Sequence, residues 1–114
     1  MRTWSDVRDA VRAYHLLVTK DPIPGAYYNI GGSFSCTVGD MLRHLLSLSS
    51  RDDIRVVTDP ERLRPIDADL QVPDTRKFQA HTGWLPQIPF EQTMRDLLEY
   101  WRDRVRSGRN FLVR

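Results

Sequence analysis

Apolar residues recur at helical spacing in three segments of the chain, and this periodicity constrains the fold more than any other feature. It predicts amphipathic helices over residues 5–20, 37–49 and 90–106. Asp-Pro-Ile-Pro-Gly at 21–25 ends the first helix, and Gly108 ends the last. The chain is therefore expected to fold as separate helices joined by turns, with Ser5 capping the first one.

Shorter signals between these helices predict a mixed structure. The aromatic and β-branched residues at 26–30 and 54–58 predict two short strands, and 70–72 reads as a third extended piece. A short helix is expected over 74–81, closed by a glycine. The predicted fold class is mixed, helix-rich α/β, with short strands that each need a partner edge.

Local chemistry fixes several element ends and two core positions. Thr37 with Asp40 predicts a capping box, and Pro60 predicts the first position of a single helical turn. Trp84 and Trp101 are expected to anchor the core.

Composition limits the classes of function that the chain can serve. The 114 residues fit one small domain, taken as residues 1–108 with a basic tail at 109–114. One cysteine excludes a disulfide framework, and the three histidines lack metal-ligand spacing. The net charge of +2 gives no bulk drive towards nucleic acid or membrane, and no apolar run approaches a membrane span. We therefore expect a cytoplasmic location, no metal, and neither a nucleic-acid nor a membrane partner.

The motifs of self-sufficient enzymes are missing from the sequence. No Gly-x-Gly-x-x-Gly turn, Walker-type loop, Tyr-x-x-x-Lys pair or Gly-x-Ser-x-Gly elbow occurs. The first helix also begins almost at the start of the chain. The sequence therefore predicts no catalytic residues and no bound cofactor, and it reads as a piece of a larger unit.

The segment Arg-Pro-Ile-Asp at 64–67 has the chemistry of a ligand contact. Pro65 fixes its own φ and pushes Arg64 towards extended geometry. An arginine fork suits a phosphate, and the carboxylate of Asp67 suits vicinal hydroxyls. The alternative is a surface Arg-Asp pair with no ligand.

Several phrases, in order, resemble one family. They are Arg-Thr-Trp-Ser-Asp-Val-Arg-Asp at 2–9, Tyr-Asn-Ile-Gly at 28–31, Arg-Pro-Ile-Asp at 64–67, Asp-Thr-Arg-Lys at 74–77 and Gly-Trp-Leu-Pro at 83–86. Together they resemble the C-terminal, substrate-binding part of an extended short-chain dehydrogenase/reductase of the NAD-dependent epimerase/dehydratase family. Residues 63–67 and 97–102 are most similar to the GDP-mannose 4,6-dehydratases and GDP-6-deoxy-mannose reductases within it. Thr3 and Pro73 depart from the family's usual Asp and Gly.

The resemblance implies roles for three residues in a nucleotide-sugar site. Arg64 would contact the pyrophosphate, Asp67 the ribose hydroxyls, and Arg2 a second phosphate position. The ligand would be GDP-mannose or GDP-4-keto-6-deoxymannose. NAD(P) and the catalytic groups would belong to the Rossmann half of the parent enzyme, which this chain lacks.

Other interpretations remain open at the level of sequence. The chain could be a standalone ligand-binding or assembly module derived from that family. Dehydratase, reductase and epimerase are not separable from these phrases. An uncovered apolar helix face would lead to homo-oligomers. A nucleic-acid role for the basic stretch 104–114 is disfavoured by the near-neutral net charge.

Overall fold

The computed structural model describes residues 1–63 and 69–108, which form four α-helices and one small sheet. The residues 64–68 and 109–114 lie outside the described part, and with them Arg64, Asp67 and the predicted tail. The helices are α1 (Val7–Thr19), α2 (Val38–Ser47), α3 (Arg76–Thr82) and α4 (Phe90–Arg106). The strands are β1 (Arg2–Trp4) and β2 (Phe34–Cys36), and a single 3-10 turn spans Pro60–Arg62. The predicted mixed, helix-rich class is confirmed in this coarse sense.

The helix ends follow local chemistry, with one correction. The Thr37–Asp40 capping box at the start of α2 is confirmed, because each side chain receives a hydrogen bond from the other's backbone N–H. The prediction that Ser5 caps α1 is wrong. Asp6 is the cap, and its carboxylate accepts the N–H of Arg8 at 2.8 Å. A carboxylate also interacts favourably with the helix dipole at that end.

The predicted strands at 26–30 and 54–58 are wrong, since neither segment forms a strand. The sheet instead pairs β1 with β2 in antiparallel register, Thr3 opposite Ser35. The extended piece at 70–72 contributes an isolated parallel bridge between Arg2 and Gln71. A β-prone segment becomes a strand only where another strand offers a free edge to pair with. Here one edge of β1 pairs with β2 and the other with Gln71.

Two small clusters make the core. Ala13, Phe78 and Trp84 form one, and Cys36, Phe90 and Met94 form the other. Trp84 is 1% exposed, which confirms it as a core anchor. Trp101 is 44% exposed, so its predicted place in the core is wrong. It lies in the second half of α4, where Leu97, Tyr100 and Val105 are also exposed.

The buried carboxylates of Asp6 and Asp9 join the start of the chain to α4. Asp9 binds the segment just before α4, and Asp6 binds a residue in the first turn of α4. The Oδ2 atom of Asp9 accepts the backbone N–H groups of Gln87 at 2.9 Å and Ile88 at 3.0 Å. Asp6 accepts the hydroxyl of Thr93 at 2.8 Å. These bonds hold the start of α4 against the first helix.

No helix in residues 1–63 or 69–108 has the length and apolar content to cross a membrane.

Candidate functional site

An open groove of about 670 Å³ lies along β1. One wall comes from the strand, one from the start of α2, and one from the end of the 3-10 turn. Its lining residues are Arg2, Thr3, Trp4, Val38, Arg62, Leu63 and Gln71. Segments far apart in sequence therefore meet around one concave surface, which is the usual setting of a ligand site.

Backbone hydrogen bonds fix the floor of the groove. The N–H of Thr3 donates to the carbonyl of Gln71 at 3.2 Å, and the N–H of Gln71 donates to the carbonyl of Met1 at 2.9 Å. The hydroxyls of Thr3 and Ser35 lie 3.2 Å apart across the sheet. The strand is thus held on both edges, and Arg2 has a defined position on it.

The 3-10 turn places a second arginine at the groove. Asp59 accepts the N–H of Glu61 at 3.1 Å, and Pro60 occupies the first position as predicted. Arg62 ends the turn, and its Nε lies 3.2 Å from the Asp59 carboxylate. Since the Arg62 side chain is 87% exposed, this ion pair is a weak one that a ligand anion could replace.

Of the three residues predicted for the site, Arg2 lies in the groove. Arg64 and Asp67 fall outside the described residues, so their roles stay predictions. The described chain stops before them at Leu63, which itself lines the groove. Sequence reasoning assigned no role to Arg62. The signal for it was its place between the turn-forming Pro60 and the Arg-Pro-Ile-Asp segment.

Gly31 and Gly32, which lie beside β1, pack closely against other parts of the chain and leave no space there for a dinucleotide. A Cβ built on Gly32 would lie 1.6 Å from the carbonyl oxygen of Trp4, and one on Gly31 would lie 2.6 Å from a Pro73 ring carbon. In a dinucleotide site the glycines instead leave room for the pyrophosphate at a helix N-terminus. These residues therefore do not fit NAD(P), although they allow the backbone to pass close to β1.

The carboxylate of Asp9 is stabilised by its surroundings. Burial raises the pKa of the Asp9 carboxyl, but hydrogen bonds from Arg12 and from the N–H groups of Ile88 and Gln87 outweigh burial and hold it below its usual value. The carboxyl is 2% exposed and lies outside the groove lining. Its role is to hold structure. The same holds for Arg12, whose guanidinium donates to Asp9 at 2.7 Å.

No group of three His, Cys, Asp or Glu side chains suited to a metal ion occurs within the described ranges 1–63 and 69–108. The polar groups that line the groove include two arginines, one hydroxyl and one side-chain amide, those of Arg2, Arg62, Thr3 and Gln71. Guanidinium and hydroxyl groups are suited by charge and hydrogen bonding to an anion.

Known proteins resemble the chain over most of its length. A sequence model of the family described as GDP-mannose 4,6 dehydratase matches residues 1–97. The GDP-6-deoxy-D-mannose reductase of Pseudomonas aeruginosa is 29% identical over 106 residues, covering 93% of this chain and 34% of that enzyme. The dTDP-glucose 4,6-dehydratase of Haemophilus influenzae is 31% identical, covering 89% of this chain and 32% of the enzyme.

A third relative, dTDP-glucose 4,6-dehydratase 1 of Escherichia coli, is 32% identical and covers 95% of this chain and 33% of its own length. The chain thus spans about a third of the length of the curated relatives that it matches. Because the family model covers most of the chain, the resemblance seen in the sequence phrases is confirmed. The chain belongs to the GDP-mannose 4,6 dehydratase family of extended short-chain dehydrogenases.

Proposed function

We propose that this chain forms the part of a nucleotide-sugar dehydratase or reductase that grips the nucleotide diphosphate, and that it has no catalysis of its own. The observation that carries the proposal is the groove along β1, where Arg2 and Arg62 line one open surface. Arg64 follows Leu63 in the sequence, and the proposal assigns Arg64 to the same groove.

The chemistry of the groove suits a pyrophosphate. An arginine guanidinium donates paired hydrogen bonds to phosphate oxygens, and each charge-assisted bond contributes about 1.5–3 kcal/mol. In this proposal Arg2, Arg62 and Arg64 hold the diphosphate, and Asp67 accepts the ribose hydroxyls. The hydroxyl of Thr3, which also lines the groove, is a further donor for a phosphate oxygen.

Gripping the diphosphate contributes to the reaction at a distance. Binding energy from a part of the substrate that does not react orients the sugar against the reacting groups. NAD(P) supplies the redox chemistry of such enzymes, and the cofactor and the proton-transferring groups would lie in the two thirds of the enzyme beyond this chain.

We further propose a guanine nucleotide sugar, GDP-mannose or GDP-4-keto-6-deoxymannose, as the ligand. The family description and the Pseudomonas relative both carry guanine nucleotides in their names, whereas the Haemophilus and Escherichia relatives carry dTDP. The comparison of GDP-mannose with dTDP-glucose is therefore the informative one.

The test is the unfolding temperature of the chain with each nucleotide sugar added. GDP-mannose should raise the unfolding temperature more than dTDP-glucose, and Arg64→Ala should abolish the rise. Arg106→Ala is the matched control, because Arg106 is an exposed, ion-paired arginine outside the groove lining. No shift with millimolar GDP-mannose, or an equal shift in Arg64→Ala, contradicts the proposal.

The second candidate is an assembly module without a ligand. Exposed apolar side chains on α1 favour it, those of Val7, Val11, Tyr14 and Val18. The coding sequence upstream of Met1 separates the two. A Gly-x-x-Gly-x-x-Gly strand-turn-helix there favours the enzyme, and its absence favours the module.

A further inference from the structure

The two carboxylate oxygens of Asp59 have different partners. Oδ1 accepts the backbone N–H of Glu61 at 3.1 Å and so caps the 3-10 turn. Oδ2 lies 3.2 Å from Nε of Arg62, the residue that ends the turn. The backbone N–H of Arg62 also donates to the carbonyl of Asp59 at 3.2 Å. The ion pair can therefore open while the cap and the backbone hydrogen bond hold the turn in place.

This ion pair lies at the edge of the groove along β1. Arg62 lines the groove, and none of the described lining residues is acidic. Asp59 is thus the counter-ion of an arginine that belongs to a basic surface. Both side chains are exposed, and water and salt weaken an ion pair in that setting. A stronger anion that enters the groove can therefore take the place of the Asp59 carboxylate.

A phosphate and the Asp59 carboxylate compete for the same edge of the Arg62 guanidinium. Paired bonds from that edge use Nε, which Asp59 already contacts. Repulsion between the two anions opposes an arrangement in which both stay on Arg62. A diphosphate has an advantage in this competition. Once one phosphate is held at Arg2, linkage raises the effective concentration of the other at Arg62.

We infer that Asp59 sets the anion affinity of the groove: it holds Arg62 in the ligand-free chain, and one phosphate of the diphosphate displaces it. This rests on the proposed function. Binding then exchanges one ion pair for another and leaves the 3-10 turn intact. The contact lowers the affinity for every anion that needs Arg62. A ligand that also engages Arg2 overcomes it most readily.

The test uses inorganic pyrophosphate as the probe and calorimetry at low salt on the full chain. Asp59→Asn should bind pyrophosphate roughly two- to fivefold more tightly than wild type, because asparagine keeps an Oδ1 for the cap and removes the competing charge. Glu61→Gln is the matched control. It removes an equal charge from the same turn but leaves the pair of Asp59 with Arg62, so it should change the affinity less. In the Arg62→Ala background, Asp59→Asn should have no further effect.

An NMR measurement separates displacement from a change in structure. The Nε–H resonance of Arg62 should shift when pyrophosphate is added to wild type. In ligand-free Asp59→Asn, this resonance should already differ from its wild-type position. Equal or weaker pyrophosphate binding by Asp59→Asn overturns this inference alone, and so does a gain that persists in Arg62→Ala. Absence of pyrophosphate binding in both wild type and Asp59→Asn overturns the proposed function as well.

Discussion

The indole N–H of Trp84 donates a hydrogen bond of 3.1 Å to the backbone carbonyl of Asp9, across 75 residues of chain. The carboxylate of the same Asp9 accepts two backbone N–H groups just beyond Trp84. Asp9 ends one of the family phrases and Trp84 lies in another. The two phrases are thus parts of one structural contact, which explains why they occur together.

Removing the Asp9 carboxylate should be strongly destabilising. Asp9→Ala leaves the N–H groups of Gln87 and Ile88 and the guanidinium of Arg12 without their acceptor. We expect a loss of about 2–4 kcal/mol in the free energy of unfolding, measured by urea denaturation. Asp53→Ala is the control, since its pair with Arg51 is exposed and should contribute about 0–1 kcal/mol. Similar losses in both variants would contradict a stabilising role for the hydrogen bonds to the Asp9 carboxylate.

Acid should destabilise the chain through its buried carboxylates. The hydrogen bond from the Arg8 side chain lowers the pKa of Asp6 well below its usual range, and burial only partly opposes this. The pKa of Asp9 is also lowered. Unfolding restores ordinary values near about 4, so the unfolded state binds more protons below that pH. The contribution of these carboxylates to stability is therefore fully present above about pH 5 and falls as the pH drops further.

The measurement is the unfolding temperature as a function of pH. Its decline between about pH 5 and 2 should be less steep in Asp6→Asn, which cannot titrate. Asp53→Asn should change the slope much less, because Asp53 is exposed. A decline of equal steepness in wild type and Asp6→Asn would show that other groups control acid unfolding.

Gly32 should not tolerate a side chain. A Cβ at this position would lie 1.6 Å from the Trp4 carbonyl, which is backbone and has little freedom to move. Gly32→Ala should therefore displace β1 and cost about 1–3 kcal/mol or more. Gly39→Ala is the contrasting control, because Gly39 lies in α2 with no contact closer than 3.6 Å. It should stabilise the helix by up to about 1 kcal/mol. Equal effects would contradict the close approach.

Arg62→Ala should separate ligand binding from stability. Its exposed ion pair with Asp59 should contribute only about 0–1 kcal/mol to folding. If the groove holds a diphosphate, affinity for GDP-mannose should fall by roughly tenfold to a hundredfold, as measured by calorimetry. Arg106→Ala, also exposed and ion-paired but outside the groove lining, should bind normally. Unchanged affinity in Arg62→Ala would show that Arg62 does not contact the ligand.

The sequence predicted helices well because their signals are local. The apolar stripe and Pro89 define α4 at Phe90–Arg106, and Thr37 with Asp40 marks the start of α2. The strands were missed because three residues are too few for a period of two. The strand predicted at 54–58 was wrong for the opposite reason. Its composition favours a strand, but no neighbouring strand pairs with it.

The site was predictable only in part. Arg2 could be found by resemblance, but its meeting with Arg62 depends on Gln71 bridging back to β1, a pairing that local sequence does not specify. The helical period likewise identified the apolar residues of α1. It did not reveal that Leu17 packs against the core while four others are exposed, namely Val7, Val11, Tyr14 and Val18. Periodicity shows which residues share a face, whereas the neighbouring elements decide which way it points.

The pairing of β1 with β2 and with Gln71 has a consequence for how the chain folds. These contacts join residues separated by much of the sequence, whereas the turns of the helices need only neighbouring residues. Long-range pairing carries a loop-closure cost that local helices avoid, so the helices should form first and the groove last. A nucleotide bound there would stabilise contacts that are absent from the folding transition state. We therefore expect it to slow unfolding and to leave the folding rate almost unchanged.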